Sequence, residues 1–259
     1  MPPDLDAIAA ALHGARRLRV PIPPITDTHP TFDVVSAYGV QEINTMRRLA
    51  AGERIVGRKI GLTSPAVQAQ LGVDEPDYGM LFDRDDVSDE AVISTASLMQ
   101  PKVEAEIAFV LDRPISNPDS TIDDVGAAIG YAVAAVEIVD SAIADWRIKL
   151  ADTVADNASG AKFVLGKDRR KLSEIDLHLG GMEMRLDGRQ VSVGVAAACL
   201  GNPLNATLWL ARKMIEVGRP LEAGDVVLSG ALGPMVNVTA GSKFDVYVQG
   251  FAPLHLVFG

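Results

Sequence analysis

The apolar and polar positions of the first fifty residues predict a helical N-terminal region. Residues 5–18 and 31–51 both carry an Ala-rich or amphipathic helical pattern. The prolines within residues 21–24 separate these two stretches, because proline disrupts a helix interior. Gly52 follows the second stretch and is a typical helix end. We therefore expect two helices before the first strand-like segment.

Two later segments carry the same sequence signal for a helix start. A Ser-Pro pair at 64–65 and an Asn-Pro pair at 202–203 each combine a capping side chain with a proline in the first helical turn. The first of these helices is expected to end at Gly72, and the second, which is amphipathic, at Gly218. Lys59 lies just upstream of the first helix start.

Alternating hydrophobicity predicts the strands. Residues 102–111 give the clearest strand and residues 131–139 a second, buried one, with a helix expected at 123–129 between them. Residues 244–248 and 254–258 alternate well and predict a terminal hairpin. The fold class that follows is α+β or mixed α/β, centred on a β-rich core.

Composition indicates a single folded unit. The chain has 259 residues with 48% apolar composition, which is enough for one full core. We find neither an internal repeat nor a linker long enough to separate two domains. The expected organisation is one catalytic unit, with residues 1–55 as the helical N-terminal region and residues 56–259 as the β-rich core.

Charge and hydropathy exclude several classes of partner. The net charge of −10 and the absence of a Lys/Arg run argue against nucleic acid as a partner. The apolar runs are far shorter than the roughly 20 residues that cross a bilayer, and the acidic N-terminus does not resemble a signal peptide. We expect a cytoplasmic protein without a membrane span. The one cysteine, Cys199, lies in an apolar stretch and is expected to be an inert core thiol.

The strand at 102–111 carries the first candidate chemistry. A two-residue period places Lys102, Glu104 and Glu106 on one face and apolar side chains on the other. Two carboxylates about 7 Å apart on a partly apolar face are costly unless a positive charge lies between them. A hard cation with oxygen ligands would supply that charge. A solvated strand face with Lys102 as the ionic partner is the alternative.

Glu137 favours the metal hypothesis. It lies inside the apolar run 133–139, where an isolated carboxylate would be expensive to bury. Three carboxylates suit Mg²⁺ or Mn²⁺, and the four histidines form no sequence cluster that would suggest zinc.

Five segments carry a family resemblance that covers nearly the whole chain: residues 56–64, 70–79, 100–108, 144–146 and 152–159. They resemble the 2-hydroxypenta-2,4-dienoate hydratases (2-keto-4-pentenoate hydratases), which belong with the 4-oxalocrotonate decarboxylases in the fumarylacetoacetate hydrolase superfamily. The resemblance implies that Glu104, Glu106 and Glu137 hold the metal and that Lys59 and Asp77 line the reacting end of the substrate. It also implies that superfamily's β-rich roll flanked by helices, and a homo-oligomer, pentameric or decameric.

The resemblance favours hydration within this family. An acid at Asp77 and the segments at 202–214 and 229–235 are similar to hydratase usage. The implied reaction adds water at C4 of the 2-oxo-3-enoate that forms from 2-hydroxypenta-2,4-dienoate, giving 4-hydroxy-2-oxopentanoate in meta-cleavage degradation of aromatic compounds. Asp77 and Lys59 are the candidates for the general base and acid that this reaction needs. Lys59 could act with a lowered pKa, or as a cation that holds the substrate carboxylate.

Substrate contacts are predicted at Leu71 and at Ser159, which lies in a polar turn whose amides could cradle a carboxylate. The chain also departs from the usual family pattern. Ala142 stands where the family usually has Arg, Asn202 stands where it usually has His, and residues 194–196 contain less glycine. These departures bear on substrate fit more than on metal binding.

Three rival functions remain open from the sequence. One is a 4-oxalocrotonate decarboxylase of the same family, and another is a hydrolase that cleaves a carbon–carbon bond in an acylpyruvate. The third is a non-catalytic partner of a pathway decarboxylase or aldolase. The retained buried acids argue against the third, because an inactive site has no need of them. In each enzymatic alternative the ligand is a small 2-hydroxydienoate or 2-oxo acid.

Overall fold

The N-terminal region is helical, as predicted. The computed structural model describes residues 2–71 and 73–259, without the side chains of residues 66, 70 and 71. The first three helices are α1 (Leu5–Leu18), α2 (Ile25–Thr28) and α3 (Val34–Ala50). Asp4 and Asp33 cap α1 and α3, each accepting a hydrogen bond from a first-turn amide. One short helix that the sequence did not predict, α2, therefore follows the prolines of residues 21–24.

Seven strands form the larger sheet: β1 (Ile55–Gly61), β2 (Asp77–Phe82), β3 (Lys102–Leu111), β4 (Ile129–Val139), β5 (Gly160–Leu165), β8 (Val226–Leu228) and β9 (Val236–Asn237). The order is β2-β1-β8-β3-β4-β5, with β9 paired to β3. All neighbours are antiparallel except β1 and β8, which are parallel. The two predicted buried strands, β3 and β4, lie side by side in this sheet.

A smaller sheet contains the predicted terminal hairpin. Its strands are β6 (Gly181–Leu186), β7 (Arg189–Val195), β10 (Lys243–Val248) and β11 (Leu254–Val257), in the order β11-β10-β6-β7. Strand β10 pairs with both β11 and β6, so the hairpin is extended into a four-stranded sheet.

Four further helices lie among the strands: α4 (Pro65–Leu71), α5 (Ile122–Ala128), α6 (Leu150–Ala155) and α7 (Pro203–Glu216). Both proline-marked helix starts are therefore confirmed. Asn202 caps α7 by accepting a hydrogen bond from the Leu204 amide. Gly72, the expected end of α4, lies outside the described residues. None of the helices in the described part of the chain is long and apolar enough to cross a bilayer.

The two faces of the larger sheet bury different apolar clusters. Alternate residues of β3, including Val103, Ile107 and Phe109, face the main core, which also contains side chains of the smaller sheet and α7. The opposite face surrounds a smaller cluster that includes Ala108, Phe163 and other residues of five strands. The outer strands β2 and β5 approach each other, so the sheet is curled. The predicted β-rich roll flanked by helices is confirmed.

Close packing between β1 and β8 leads to a stability prediction. A Cβ atom at Gly57 would lie 1.9 Å from the Val226 carbonyl oxygen, whereas one at Gly14 in α1 would meet no atom within 4 Å. Gly57→Ala should therefore lower the free energy of unfolding by about 3 kcal/mol or more. Gly14→Ala should raise it by about 0.5–1 kcal/mol, because alanine favours a helix interior. Denaturant titration of both variants checks this, and an unchanged midpoint for Gly57→Ala would contradict it.

Candidate metal centre and active site

Three carboxylates converge on the inner face of the curled sheet. Glu104 on β3 and Glu137 on β4 are direct cross-strand partners, and Glu106 follows two residues later on the same face. One carboxylate oxygen from each of the three lies within 4.8 Å of the others. Glu106 and Glu137 are buried, and Glu104 is partly exposed. The register between two adjacent strands thus produces the cluster.

The hydrogen bonding of this cluster is incomplete. Glu106 Oε2 accepts a 2.8 Å hydrogen bond from the Gly230 amide. Within the described part of the chain, Glu106 Oε1 and both carboxylate oxygens of Glu137 have no hydrogen-bond partner. Unpaired oxygens of buried carboxylates are costly, and they are the ligand atoms that hard divalent cations prefer. The donor set therefore fits Mg²⁺ or Mn²⁺.

Lys59 and Asp77 lie beside the three glutamates. Lys59 Nζ on β1 is 3.2 Å from Glu137 Oε1, within ion-pair distance but outside hydrogen-bond angles. Asp77 begins β2 and pairs across the strands with Gly61. A Cβ at Gly61 would lie 2.2 Å from Asp77 Oδ1 and 3.3 Å from Lys59 Nζ. Glycine at this position therefore leaves space for both charged groups.

Burial and mutual repulsion control the ionisation of this site. Burial raises the pKa of Glu106 well above its ordinary value, and the Glu137 and Glu104 charges raise it further. Burial also raises the pKa of Glu137 to about 7, although the Lys59 ammonium opposes the shift. Burial raises the pKa of Asp77, again against the effect of Lys59.

Lys59 behaves oppositely to an isolated buried lysine. Burial alone would lower its pKa, but the surrounding carboxylates, Glu137 first, raise the pKa above its ordinary value. The cationic role for Lys59 is therefore favoured over the role of a neutral base.

A strained turn closes the site at the junction between α6 and β5. Asn157, Ala158 and Ser159 all have positive φ, at 57°, 50° and 54°. Each such residue costs on the order of 1–2 kcal/mol when it is not glycine. The Asn157 side chain accepts from the Met80 amide at 2.7 Å and donates to the Met80 carbonyl at 3.0 Å. This turn therefore bridges the gap between the outer strands β2 and β5.

The same turn lies against the charged site. A Cβ at Gly160 would be 3.3 Å from Glu137 Oε1 and 3.4 Å from Lys59 Cε. Ser159 is buried, and its hydroxyl lies 3.0 Å from the Thr153 hydroxyl. Leu71 is the last residue of α4, but its side chain lies outside the described residues. Substrate contact by Ser159 and Leu71 remains a prediction.

Two glycines contribute to the site through their backbone and small size, so no functional side chain marks them in the sequence. Gly230 has a φ of +113° and donates its amide to Glu106, and a Cβ there would lie 2.4 Å from Thr63 Oγ1. Gly160 likewise acts through its small size next to Glu137. The position of Gly230 in the hydratase-like segment 229–235, and of Gly160 directly after the segment 152–159, is the sequence signal that could have indicated such close approaches.

The structure also places the three departures from the family pattern. Asn202 is the α7 cap. A Cβ at Gly194 would lie 1.8 Å from the Leu232 carbonyl oxygen, so this glycine satisfies a packing requirement. Ala142 is fully buried, and its amide donates to Asp156 Oδ2 at 2.7 Å.

Comparison with known proteins identifies the family and relatives of this chain. Residues 60–257 match the family described as Fumarylacetoacetate (FAA) hydrolase C-terminal. The chain is 52% identical over 253 residues to 2-keto-4-pentenoate hydratase 2 of Dechloromonas aromatica (strain RCB), covering 98% of this chain and 97% of that protein. It is 42% identical over 250 residues to 2-hydroxyhexa-2,4-dienoate hydratase of Comamonas testosteroni, covering 96% and 93%.

A solved structure matches the fold closely. The 4-oxalocrotonate decarboxylase from Pseudomonas putida G7, complexed with magnesium and adipate, superimposes with a TM-score of 0.95 at 36% identity. The match covers 98% of this chain and 97% of that one.

The raised pKa of Glu137 predicts how metal affinity depends on pH. The pKa of Glu137 is about 7 in the folded protein and 4.5 ordinarily. Protonated Glu137 therefore contributes stability to the metal-free fold that is fully present below about pH 4.5. This stability is lost as the pH rises through 7. A cation must displace that proton, so the dissociation constant for Mg²⁺ should rise about tenfold between pH 8 and pH 6. Calorimetric titration at both pH values measures it. An affinity independent of pH would contradict the prediction.

Removal of one carboxylate should separate the metal response from folding. Glu106→Gln should keep the far-ultraviolet circular dichroism spectrum, lose the rise in Tm that Mg²⁺ produces, and lower turnover about 100-fold or more. The exposed Glu90 provides the matched control, because Glu90→Gln removes the same charge away from the cluster. A Glu106→Gln protein that turns over normally after EDTA treatment would rule out metal dependence.

Proposed function

Because the chain belongs to the fumarylacetoacetate hydrolase family and matches hydratases along nearly its whole length, we propose that it is a metal-dependent hydratase of 2-hydroxypenta-2,4-dienoate. This hydro-lyase adds water to give 4-hydroxy-2-oxopentanoate in meta-cleavage degradation of aromatic compounds. The convergence of Glu104, Glu106 and Glu137 beside Lys59 and Asp77 is the observation that carries the proposal.

The three glutamates are the proposed ligands of Mg²⁺ or Mn²⁺. Their unpaired oxygens and hard donor chemistry support this assignment. Magnesium in the related decarboxylase structure supports it as well. A divalent cation held there supplies a Lewis acid for the 2-oxygen of the substrate and offsets the negative charge of its carboxylate.

Lys59 acts as a protonated ammonium at the reacting end. Its ammonium already faces Glu137, and the raised pKa keeps it protonated. In this position it attracts the substrate carboxylate and donates a proton as negative charge shifts along the dienol system. Gly61 and Gly160 leave space beside the Lys59 side chain, since a Cβ on either would lie 3.3–3.4 Å from it.

Asp77 is the proposed base that activates water. Its Oδ1 is buried and has no hydrogen-bond partner in the part of the chain that the structure describes. Burial raises its pKa, which improves a carboxylate as a proton acceptor. Asp77 takes a proton from water as the hydroxyl adds to C4, and C3 takes a proton from the Lys59 ammonium. Return of the water proton from Asp77 to Lys59 restores both groups, so that one water is added overall.

Other parts of the proposal concern binding and context. Ser159 and Leu71 contact the substrate, and the turn that contains Ser159 positions its carboxylate. The protein acts in the cytoplasm as a homo-oligomer. These assignments rest on the resemblance to the hydratases rather than on the geometry of the described residues.

Decarboxylation of 4-oxalocrotonate is the second candidate, because the TM-score of 0.95 is to a decarboxylase. Hydration is favoured by the higher identity to hydratases, 52% against 36%, and by the acid at Asp77. The test supplies 2-hydroxypenta-2,4-dienoate and 4-oxalocrotonate separately with Mg²⁺ and identifies the products by NMR. Formation of 4-hydroxy-2-oxopentanoate from the first supports the proposal. Release of CO₂ from the second without hydration of the first would overturn it.

Asp77→Asn should separate hydration from tautomerisation. The variant keeps the size and hydrogen bonding of the side chain but cannot accept a proton, so hydration should fall about 100-fold or more. Ketonisation of the dienol should fall less, whereas Lys59→Met should impair both steps. Proton exchange at C3 and C5 can be followed by NMR in D₂O together with product formation. Equal loss of C5 exchange and hydration in Asp77→Asn would remove Asp77 from the role of base.

A further inference from the structure

An arginine of the N-terminal region binds the back of the strained turn. Arg16 on α1 places Nε 2.8 Å from Asp156 Oδ1 and donates from Nη2 to the Asp140 carbonyl at 2.7 Å. Its Nη1 also lies 3.7 Å from Asp140 Oδ2. The two aspartate side chains are 1% and 2% exposed, whereas the Arg16 side chain is 30% exposed. One guanidinium thus lies within ion-pair distance of two deeply buried acids.

Both aspartates hold the turn at its ends. The Asp156 carbonyl accepts from the Ser159 amide at 3.0 Å, and the Asp140 amide donates to the Ser159 carbonyl at 2.8 Å. The Asp156 carboxylate also accepts from the Ala142 amide at 2.7 Å. The residues that Arg16 binds are therefore the hydrogen-bonding partners of the strained segment.

The strained turn and the glycine that follows it contact two parts of the site: the Lys59–Glu137 pair and strand β2. Gly160 lies against Glu137 and Lys59, within 3.3–3.4 Å of a Cβ built on it. Asn157 bonds both backbone groups of Met80, and its carbonyl oxygen would lie 2.4 Å from a Cβ at Gly79 in the strand that begins with Asp77. A shift of the turn would therefore disturb the Lys59–Glu137 pair and the position of β2.

We propose that Arg16 is a positioning residue for the metal centre, which it affects through Asp156, Asp140 and the turn at residues 157–159. It does not touch the carboxylate cluster. Among the described residues it is the one cation within ion-pair distance of either aspartate. Without it, the buried Asp156 charge is left unbalanced, and Asp156 and Asp140, which hydrogen-bond to the left-handed segment, lose their anchor on α1. The inference deepens the proposed function and rests on it for its effect on turnover.

Arg48 provides a matched control. Its side chain is also 30% exposed, it lies on α3, and it pairs with two carboxylates, Glu53 and Asp85. Arg16 and Arg48 line the same cavity of about 270 Å³ behind the turn. In the described part of the chain, Glu53 and Asp85 make no hydrogen bond to residues 156–160. Arg48→Ala therefore removes a comparable ion pair without releasing the turn.

The experiment compares Arg16→Ala and Arg48→Ala by Tm, by calorimetric Mg²⁺ affinity, and by kcat and KM for 2-hydroxypenta-2,4-dienoate. Both variants should lose about 5 °C in Tm, because Arg16→Ala leaves two buried carboxylates without their cation and Arg48→Ala leaves two partly buried ones. Only Arg16→Ala should weaken Mg²⁺ binding about tenfold and lower kcat about tenfold, with KM within about twofold. Equal kcat and Mg²⁺ affinity in the two variants would overturn the proposal.

Arg16→Lys supplies a second comparison, and it decides the question if Arg16→Ala fails to fold. Lysine keeps the charge but lacks the planar fork that reaches Asp156 and the Asp140 carbonyl together. It should restore Tm while leaving kcat below that of Arg48→Lys. Identical kcat and Mg²⁺ affinity in the two lysine variants would count against positioning.

Two readouts do not depend on the substrate. Amide exchange of the segment 156–162, measured by mass spectrometry, should accelerate in Arg16→Ala and stay unchanged in Arg48→Ala. The difference in Mg²⁺ affinity is likewise independent of turnover. If the wild-type protein does not hydrate the dienoate, the proposed function fails, while exchange and Mg²⁺ affinity still decide the role of Arg16. Unchanged exchange in Arg16→Ala would refute that role.

Discussion

The convergence of three neighbouring carboxylates, two of them buried, is the constraint on which the rest of this structure depends. The β3–β4 register places Glu104 opposite Glu137, and strand alternation adds Glu106 to the same face. Such a cluster repels itself in a medium of low polarity, so it requires positive charge nearby. Lys59 supplies one charge at 3.2 Å from Glu137, and the unpaired carboxylate oxygens leave ligand atoms for a divalent cation. Folding and metal binding are therefore linked at this site.

The surrounding fold maintains that arrangement with small residues and a strained turn. Gly61 and Gly230 allow charged groups and backbone to approach where a Cβ would collide, and at Gly160 a Cβ would fit only tightly. The left-handed turn closes the gap between the outer strands and packs against the Lys59–Glu137 pair. Helix α1 reaches the back of this turn through Arg16. The helical N-terminal region is thus connected to the site by a short series of polar contacts.

Local patterns in the sequence predict some of this site and not the rest. Alternation places Glu104 and Glu106 on one face, and the apolar run around Glu137 signals a buried acid, because both properties depend on neighbours in the chain. Strands β3 and β4 and the terminal hairpin follow from the same periodicity. The approach of Lys59 and Asp77 to the three glutamates depends on the order of the strands in the sheet, where β8 lies between β1 and β3. Only the family resemblance indicated this approach. Positive φ angles at non-glycine residues and the contacts of Arg16 leave no local pattern. Ala142 stands where the family usually has Arg, and its amide donates to the Asp156 carboxylate. Arg16 binds the same carboxylate, so a cation still lies near this position.

The most direct test of the account locates the cation itself. Crystals of the protein grown with Mn²⁺ and measured at a wavelength where manganese scatters anomalously would reveal its position without reference to activity. If the three glutamates form a metal centre, we expect one strong anomalous peak bounded by carboxylate oxygens of Glu104, Glu106 and Glu137, at about 2.0–2.3 Å from each ligand atom. A fully loaded crystal with no peak there, or with its peak at another site, would contradict the claim that these buried carboxylates form a metal centre.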